Sequence, residues 1–453
     1  MTQKELQHLY WRAGFGIDPK KLASNTKNRT TVVNALFENS ETFSPLDIDL
    51  SYLDGIRPAD LKNYPKLAKE IRDKSRKKIL DLNYSWINRL INPKELLRER
   101  LTLFWANHFV CRDRNPLYAQ QYNNTLRYFA LGNFRDFVKA ISKEAAMLNY
   151  LNGKQNRKNR PNENFARELM ELFTLGEGQY SEKDIKESAR AFTGYNHDFE
   201  GNFVFKDVQH DAENKIFFNR IGQHNGDDII DIILEDKQCA LYIADKIYRY
   251  FVNPAPNKQH IKAMADVFYK DYNIENLMRF VFMADWFYDD KNIGAKIKSP
   301  VAYLVGMVNT VPLVFERERD LLKIQKLLGQ TLLDPPNVAG FKGNKAWIDA
   351  NTIMVRLKLP SVLLNDAVIS LKEKGDFNDN LFNKNKGKRP FKTLPDWNVF
   401  LENYKLIKTE HLEAYIIQGT INKGTAAYLQ TLNKQSKRDY CIQLMSLPEY
   451  QMC

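Results

Sequence analysis

The segment from residue 94 to 111 limits most strongly how this chain can fold. Over residues 101–110 the only polar side chains are Thr102, Asn107 and His108. On a helical wheel the apolar side chains of this segment cover almost every side, and a helix that is apolar all round must be buried by other elements. Asn107 and His108 are therefore expected in the interior, where they need hydrogen-bond partners.

Helical periodicity also dominates the rest of the sequence, so we expect a mainly α protein, a multi-helical array or bundle. The chain has 453 residues, of which 43% are hydrophobic, with 27 Phe and 22 Tyr. That length and aromatic content predict a large, well-packed core. The clearest β signal lies near 196–219, where a turn stands beside an alternating apolar run. This pattern predicts one small β-hairpin.

The same pattern suggests a division of the chain. We expect residues 1–374 to form the main helical domain, with residues 195–226 as a hairpin insertion. Residues 375–396 are rich in Asn, Lys and Pro and are typical of a loop or linker. Residues 397–453 are then expected to form C-terminal helices that pack on the main domain.

Charge and cysteine content exclude several classes of protein. The net charge is +12, but it is spread over short basic runs with acidic residues between them. Such a dispersed charge is typical of a solvated surface, and no nucleic-acid-binding motif is present. We therefore do not expect a nucleic-acid partner. The four cysteines lack the spacing of a metal or redox site.

No apolar run approaches the roughly 20 residues of a membrane span, and the first residues lack a signal-peptide pattern. We therefore expect a cytoplasmic protein without a membrane partner.

A polar stripe marks the helix that begins near residue 162. Asn164, Arg167, Glu168 and Glu171 fall on one face of that helix, opposite its apolar side chains. Glu168 and Glu171 are three residues apart, so their carboxylates are neighbours. Two such carboxylates are tolerated in water, beside Arg167, or as joint ligands of a cation. An ordinary solvated face is the simpler alternative.

Two further segments are candidates for function. A buried His108 suits a metal ligand or a general base, and equally a core histidine with a satisfied hydrogen bond. His210 and Asp211 follow the first strand of the predicted hairpin and could form a His–carboxylate pair. In the turn-rich loop 334–347, Gly340 permits close approach of the backbone to another group, which is either a ligand or a second loop.

Several motifs together point to a family. They are His8-Leu-Tyr-Trp-Arg-Ala-Gly-Phe-Gly16, Leu103-Phe-Trp-Ala-Asn-His-Phe109, Pro161-Asn-Glu-Asn-Phe-Ala-Arg-Glu-Leu-Met-Glu-Leu-Phe-Thr-Leu-Gly176, Ala189-Arg-Ala-Phe-Thr-Gly194, Pro335-Pro-Asn-Val338 and Leu444-Met-Ser-Leu-Pro-Glu-Tyr-Gln451. In this order the chain resembles the large bacterial family called domain of unknown function 1800, from about residue 5 to its C-terminus.

The resemblance implies no established reaction or substrate. Members of the family are often predicted to be secreted. They are commonly encoded beside a second family related to sulfatases and alkaline phosphatases, which implies a protein partner of that kind. Ala106 stands where many relatives have a histidine, so a ligand set with two histidines at this motif does not carry over to this chain.

Two hypotheses follow, and both expect the polar stripe to face inward. In the first, the protein is an enzyme with His108, Arg167, Glu168, His210 and Asp211 as catalytic residues. A divalent metal would be held by His108, Glu168 and Glu171, or the site would work by metal-free acid–base chemistry. In the second, the protein is a non-catalytic helical scaffold that binds a protein partner, and the same residues form a buried charge network.

Overall fold

The protein is described by a computed structural model that covers residues 1–23, 28–365 and 391–453. This part of the chain forms 22 α-helices and three two-stranded antiparallel sheets. The prediction of a mainly α protein with small β elements is confirmed. No helix among the described residues has the length and apolar character needed to cross a membrane.

The helices of the first part of the chain precede the hairpin region. They are α1 (Gln3–Ala13), α2 (Pro19–Ala23), α3 (Arg29–Glu38), α4 (Pro58–Asn63), α5 (Pro65–Ile91), α6 (Leu96–His108), α7 (Pro116–Tyr128), α8 (Phe134–Lys143), α9 (Ala145–Tyr150), α10 (Asn164–Glu168) and α11 (Glu182–Ala191).

The remaining helices follow it. They are α12 (Gly226–Glu235), α13 (Lys237–Phe251), α14 (Lys258–Phe268), α15 (Ile274–Met283), α16 (Pro300–Thr310), α17 (Glu318–Leu328), α18 (Ala350–Leu364), α19 (Trp397–Asn403), α20 (Glu413–Ile416), α21 (Lys423–Thr431) and α22 (Lys437–Met445).

The predicted hairpin region contains two hairpins rather than one. The first pairs β1 (Tyr195–His197) with β2 (Phe203–Phe205), and the second pairs β3 (Lys215–Phe217) with β4 (Arg220–Gly222). The reason is a two-residue turn at Phe218 and Asn219, both of which have positive φ. Such a turn makes the chain fold back directly, so β3 pairs with its own neighbour and not with β1.

Two hydrophobic clusters account for the burial of α6. The first cluster is built largely from α1, α3 and α6–α15, and the second from α5, α16–α18 and the C-terminal helices. Helix α6 contributes Trp105 to the first cluster and Leu103 to the second. Since one helix serves two cores, it needs apolar side chains on opposite faces, as its sequence predicts.

The region assigned to a loop or linker is covered only in part. Residues 375–390 lie outside the described residues, and β6 (Thr393–Pro395) follows them and pairs with β5 (Leu313–Phe315). Helix α22 packs against α18, within the second cluster. The division into a main domain and C-terminal helices stays a prediction.

Candidate functional site

The motif helix changes its geometry in the middle of the polar stripe. α10 ends at Glu168 and continues as a π-helix over Leu169–Thr174. The Thr174 hydroxyl donates to the Leu169 carbonyl, 2.6 Å away and five residues earlier. π-Turns are rare in proteins and are frequent at functional sites, so this segment is the natural centre of a candidate site.

Side chains from two other helices bind the backbone of the π-helix. From α13, Tyr242 and Lys246 both donate to the Leu172 carbonyl, at 3.0 and 3.1 Å, and Gln238 donates to the Leu175 carbonyl at 2.9 Å. Burial lowers the pKa of Lys246 to about 8. These contacts satisfy carbonyls that the end of a helix leaves without a partner, and they fix the motif helix to α13.

His108 makes the corresponding contact from α6. Its Nε2 lies 3.0 Å from the Phe173 carbonyl, and since a carbonyl only accepts, Nε2 carries the proton and donates. The Nδ1 atom is buried and has no hydrogen-bond partner. Burial, with a smaller contribution from the charge of Lys246, holds the pKa of His108 well below its usual value. His108 is therefore a neutral core histidine that joins α6 to the π-helix.

Asn107 performs a similar task on the other side of α6. Its side-chain amide donates to the Phe341 carbonyl at 3.1 Å and accepts from the Phe341 amide at 2.7 Å. The close backbone approach predicted for Gly340 is directed at this helix end: a Cβ there would lie 2.7 Å from Asn107 Oδ1 and 2.9 Å from its carbonyl oxygen. What Gly340 accommodates here is the protein's own backbone.

The polar stripe lies at the surface and not in the interior, contrary to the inward orientation predicted for it. Asn164 is exposed, and Arg167, Glu168 and Glu171 are half-buried. Arg167 binds both oxygens of Glu182, at 2.9 and 3.1 Å. The reason is that α11 follows the motif helix closely and supplies Glu182, so Arg167 binds the neighbouring helix rather than an interior ligand.

The two stripe carboxylates have different surroundings. Glu171 accepts a hydrogen bond of 2.9 Å from the Tyr180 hydroxyl. Burial, and next the charge of Glu171, raise the pKa of Glu168. The predicted proximity of the two carboxylates therefore contributes to the raised pKa of Glu168.

His210 and Asp211 do not pair with each other. His210 Nδ1 donates to the Thr193 carbonyl at 2.9 Å. The Asp211 carboxylate instead receives Arg190 through two hydrogen bonds of 2.7 and 3.2 Å. Burial alone would raise the pKa of Asp211, but the hydrogen bonds from Arg190 hold it below its usual value. The predicted His–carboxylate pair is therefore an Arg–carboxylate pair that attaches α11 to the loop after β2.

The predicted metal ligands do not come together. Among the described residues, no three His, Cys, Asp or Glu side chains are grouped in a way that could hold a metal ion. His108 is enclosed by the rings of Trp105, Phe109 and Phe173, whereas Glu168 and Glu171 are at the surface. The residues present therefore do not fit a divalent cation.

One buried ion pair, formed by Glu99 and Arg127, is not among the features predicted from the sequence. Glu99 and Arg127 are both completely buried and form a bidentate ion pair with contacts of 2.5 and 3.2 Å. A signal for it exists in the sequence: Arg98, Glu99 and Arg100 stand at the start of a helix that is otherwise apolar on every side. A buried helix with charges needs partners for them.

Comparison with known proteins shows the family. The family model described as "Protein of unknown function (DUF1800)" matches residues 8–452, nearly the whole chain. The chain belongs to the DUF1800 family. No curated protein and no solved structure matches the chain. The family resemblance seen in the motifs is therefore confirmed.

The close approach at Gly340 can be tested by substitution. Gly340 has φ of 75°, so Gly340→Ala adds backbone strain and a contact with Asn107, and we expect it to lower the free energy of unfolding by about 2–3 kcal/mol. Gly329→Ala is the matched control, because Gly329 has φ of 87° and open space around it, and we expect it to cost about 1 kcal/mol. Urea denaturation measures both, and equal losses would show that the approach to Asn107 contributes nothing.

Proposed function

We propose that this DUF1800 protein is a non-catalytic helical scaffold that binds a protein partner. One observation carries the proposal: the polar residues of the family motifs are engaged in joining segments of the chain. His108 joins α6 to the π-helix, Asn107 joins α6 to the loop at Phe341, and Arg190 joins α11 to Asp211. Groups held in this way are positioned for stability rather than for contact with a substrate.

A partner surface adjoins the motif helix. We name it the hairpin groove, and it is lined by residues that include Tyr180, Lys183, Ile216 and Phe218. Ile216 lies directly opposite Ile221 in the β3–β4 pair, so both side chains share one face of the hairpin. Ile221 is 70% exposed. An exposed apolar pair beside a polar groove is typical of a protein-binding surface.

The groove is continuous with the family motif through hydrogen bonds. Tyr180, which lines the groove, donates to Glu171 on the π-helix. Asp184, also in the groove lining, closes the capping box of α11 with Ser181 and accepts from the Phe218 amide at 3.2 Å. A partner bound in the groove would therefore contact a surface whose shape is fixed by the motif helix.

The proposal predicts binding to the sulfatase- and phosphatase-like protein that family members are encoded beside. We expect Ile221→Asp to weaken that binding at least about tenfold, since it places a charge in the apolar part of the interface. Leu406→Asp is the matched control, because Leu406 is 92% exposed and lies outside the hairpins. Isothermal titration calorimetry with the purified pair measures the effect, and absence of binding, or equal weakening by both variants, would contradict the proposal.

A second measurement addresses the enzyme hypothesis. Metal analysis of the purified protein is compared with that of Glu171→Ala. A stoichiometric metal that disappears in the folded variant would overturn the scaffold proposal, whereas unchanged, non-stoichiometric metal in both proteins is expected.

The cytoplasmic location stays a prediction from the sequence, and cell fractionation tests it.

A further inference from the structure

Five buried basic side chains lie at the junction of the two hydrophobic clusters. They come from α1, from α6, from the segment that precedes α16, and from α18. Their exposed fractions are 0% for Arg12, 4% for Arg100, 9% for Lys296, 1% for Lys298 and 0% for Arg356. We name this group the basic cluster. Since basic side chains are almost never fully buried without a charged partner, five together demand an explanation.

No Asp or Glu side chain neutralises the basic cluster. Within the described parts of the chain, none of the five side chains forms an ion pair, and the charges that act on Arg12, Lys296, Lys298 and Arg356 come from one another, from Arg100, from Cys453 and from Tyr303. The contrast with Arg127 is direct, because Arg127 is equally buried and has Glu99. The basic cluster therefore concentrates basic side chains in the interior without an Asp or Glu side chain as counter-ion.

Four members of the cluster donate hydrogen bonds to uncharged groups. Arg12 donates to the carbonyls of Val252 and Asn292, at 3.1 and 2.8 Å. Lys298 donates to the Tyr450 carbonyl at 2.7 Å. Lys296 donates to carbonyls at the end of α13, and Arg356 to the carbonyl of residue 298 and to Gln451. These bonds fix the side chains in position but leave their charge uncompensated.

Arg100 is different, because it has no hydrogen-bond partner for two of its donors. Its guanidinium lies between the rings of Phe15 and Tyr250, 5.0 and 5.1 Å from their centroids. The buried Nε and Nη1 atoms donate to nothing in the protein. Leaving a buried donor unsatisfied is unfavourable, and such donors in native proteins usually have a partner. The guanidinium is thus held in place by two aromatic rings while its donors stay free.

The charges of Arg12, Arg100 and Lys296 act on one another. The charges of Arg12 and Arg100 both act on Lys296, and Arg100 acts on Arg12. Arg100 and Lys296 also lie over the same ring, that of Tyr250, and the Lys296 nitrogen is 4.7 Å from its centroid. Burial, and then these neighbouring charges, lower the pKa of Lys296 well below its usual value. An anion between the three would reverse that effect.

We propose that Arg12, Arg100 and Lys296 form an internal binding site for a tetrahedral oxyanion, a phosphate or sulfate group. Guanidinium groups present planar pairs of donors that match the oxygens of such a group. Three positive charges suit a doubly charged tetrahedral anion better than a singly charged carboxylate. The site is separate from the hairpin groove and does not depend on the scaffold proposal.

The experiment uses the full chain and the variant Arg100→Met. Because Arg100 makes no hydrogen bond that the fold needs, the variant is expected to fold and to be as stable as the natural protein without anion, or more stable. Inorganic phosphate is expected to raise the melting temperature of the natural protein by at least about 2 °C over chloride of equal ionic strength. Arg100→Met should lose this rise and bind phosphate at least about tenfold more weakly by calorimetry.

Two further variants make the result specific. Arg76→Met removes an exposed charge on α5 whose side chain is 73% exposed, and it is expected to leave phosphate binding unchanged. If Arg100→Met does not fold, Arg100→Lys serves in its place, since it keeps the charge and removes the planar pair of donors, and it should weaken binding about fivefold or more. An unchanged phosphate response in the Arg100 variant, or no response in the natural protein, would overturn the proposal.

The choice of anion identifies the source of the ligand. Sulfate is expected to bind and acetate is not, and acetate that binds as tightly as phosphate would overturn the assignment to a tetrahedral group. Glycerol phosphate that binds as well as inorganic phosphate would support the site and show that it accepts the phosphate of a larger molecule. Binding of the inorganic ions alone would support it as a site for the free ion.

Discussion

Replacing Glu99 by glutamine is expected to lower the free energy of unfolding by about 3–5 kcal/mol. Glu99 and Arg127 have no exposed surface and share two hydrogen bonds. The substitution keeps the size of the side chain but leaves the Arg127 charge buried without a counter-ion. Urea denaturation followed by circular dichroism measures the loss, and a change below about 1 kcal/mol would contradict the assignment of a tightly coupled pair.

A double variant distinguishes the effect of the unpaired charge from the effect of altered packing. Glu99→Leu with Arg127→Met removes both charges, and we expect it to recover much of the stability lost in Glu99→Gln, because hydrophobic replacements of buried ion pairs are often neutral. The exposed pair of Asp73 and Arg76 is the control, and Asp73→Asn should cost less than about 1 kcal/mol. If the double variant is less stable than Glu99→Gln, packing and not charge accounts for the loss.

The fold could be predicted from the sequence where local patterns decide it. The apolar character of α6 on all sides predicted its burial, and the structure adds the reason, which is that two hydrophobic clusters share this helix. The capping box from Ser181 to Asp184, which begins α11, also has a recognisable sequence pattern. The turn at Phe218 and Asn219 was not predicted, because Phe-Asn at the two turn positions is a weaker hairpin signal than Asn-Gly.

The candidate site was much harder to predict, because it depends on contacts between distant segments. The spacing of Glu168 and Glu171 predicted that their side chains are neighbours, but it did not predict the π-helix that starts between them. Nor did it show that Arg167 would bind Glu182 of the following helix. A polar stripe has the same pattern whether it faces a ligand or another helix, so a helical wheel cannot distinguish the two.

The basic cluster shows the same limit more strongly. Arg12, Arg100 and Arg356 stand in separate parts of the sequence, and no spacing pattern connects them. Only the tertiary structure shows that they meet without a carboxylate. The sequence gives a net charge of +12 and places basic runs on the surface, yet the side chains with the most unusual surroundings belong to none of those runs.

Two buried histidines lead to the second large prediction, a loss of stability in mild acid. His8 and His108 each place Nε2 against a backbone carbonyl, at 3.1 and 3.0 Å, and each leaves a buried Nδ1 without a partner. Burial is the main reason that the pKa of each lies well below 6.5, assisted by the charge of Arg12 for His8 and of Lys246 for His108. Both are therefore neutral in the folded protein.

The unfolded and folded states take up protons at these histidines at different pH values, and this difference determines whether acid stabilises or destabilises the fold. Below about pH 6.5 the unfolded chain takes up a proton at each histidine, while the folded protein does not until the pH reaches the lowered pKa. Stability is thus fully present above about pH 6.5 and decreases as the pH falls from there to the lowered pKa, by up to about 1.4 kcal/mol per pH unit for each histidine. For the two together we expect a loss of about 3 kcal/mol between about pH 6.5 and about pH 5.

Substitution assigns this loss to the buried rings. His108→Leu is expected to reduce the pH dependence over that range by the contribution of one histidine, up to about 1.4 kcal/mol per pH unit, because its titrating ring is removed. His411→Leu is the control for the replacement of a histidine outside the core, since the His411 side chain is exposed. Urea denaturation at a series of pH values measures the slopes. A natural protein whose stability is constant across this range would show that His8 and His108 accept protons in the folded state, and their Nδ1 atoms would then have partners that this arrangement of the chain lacks.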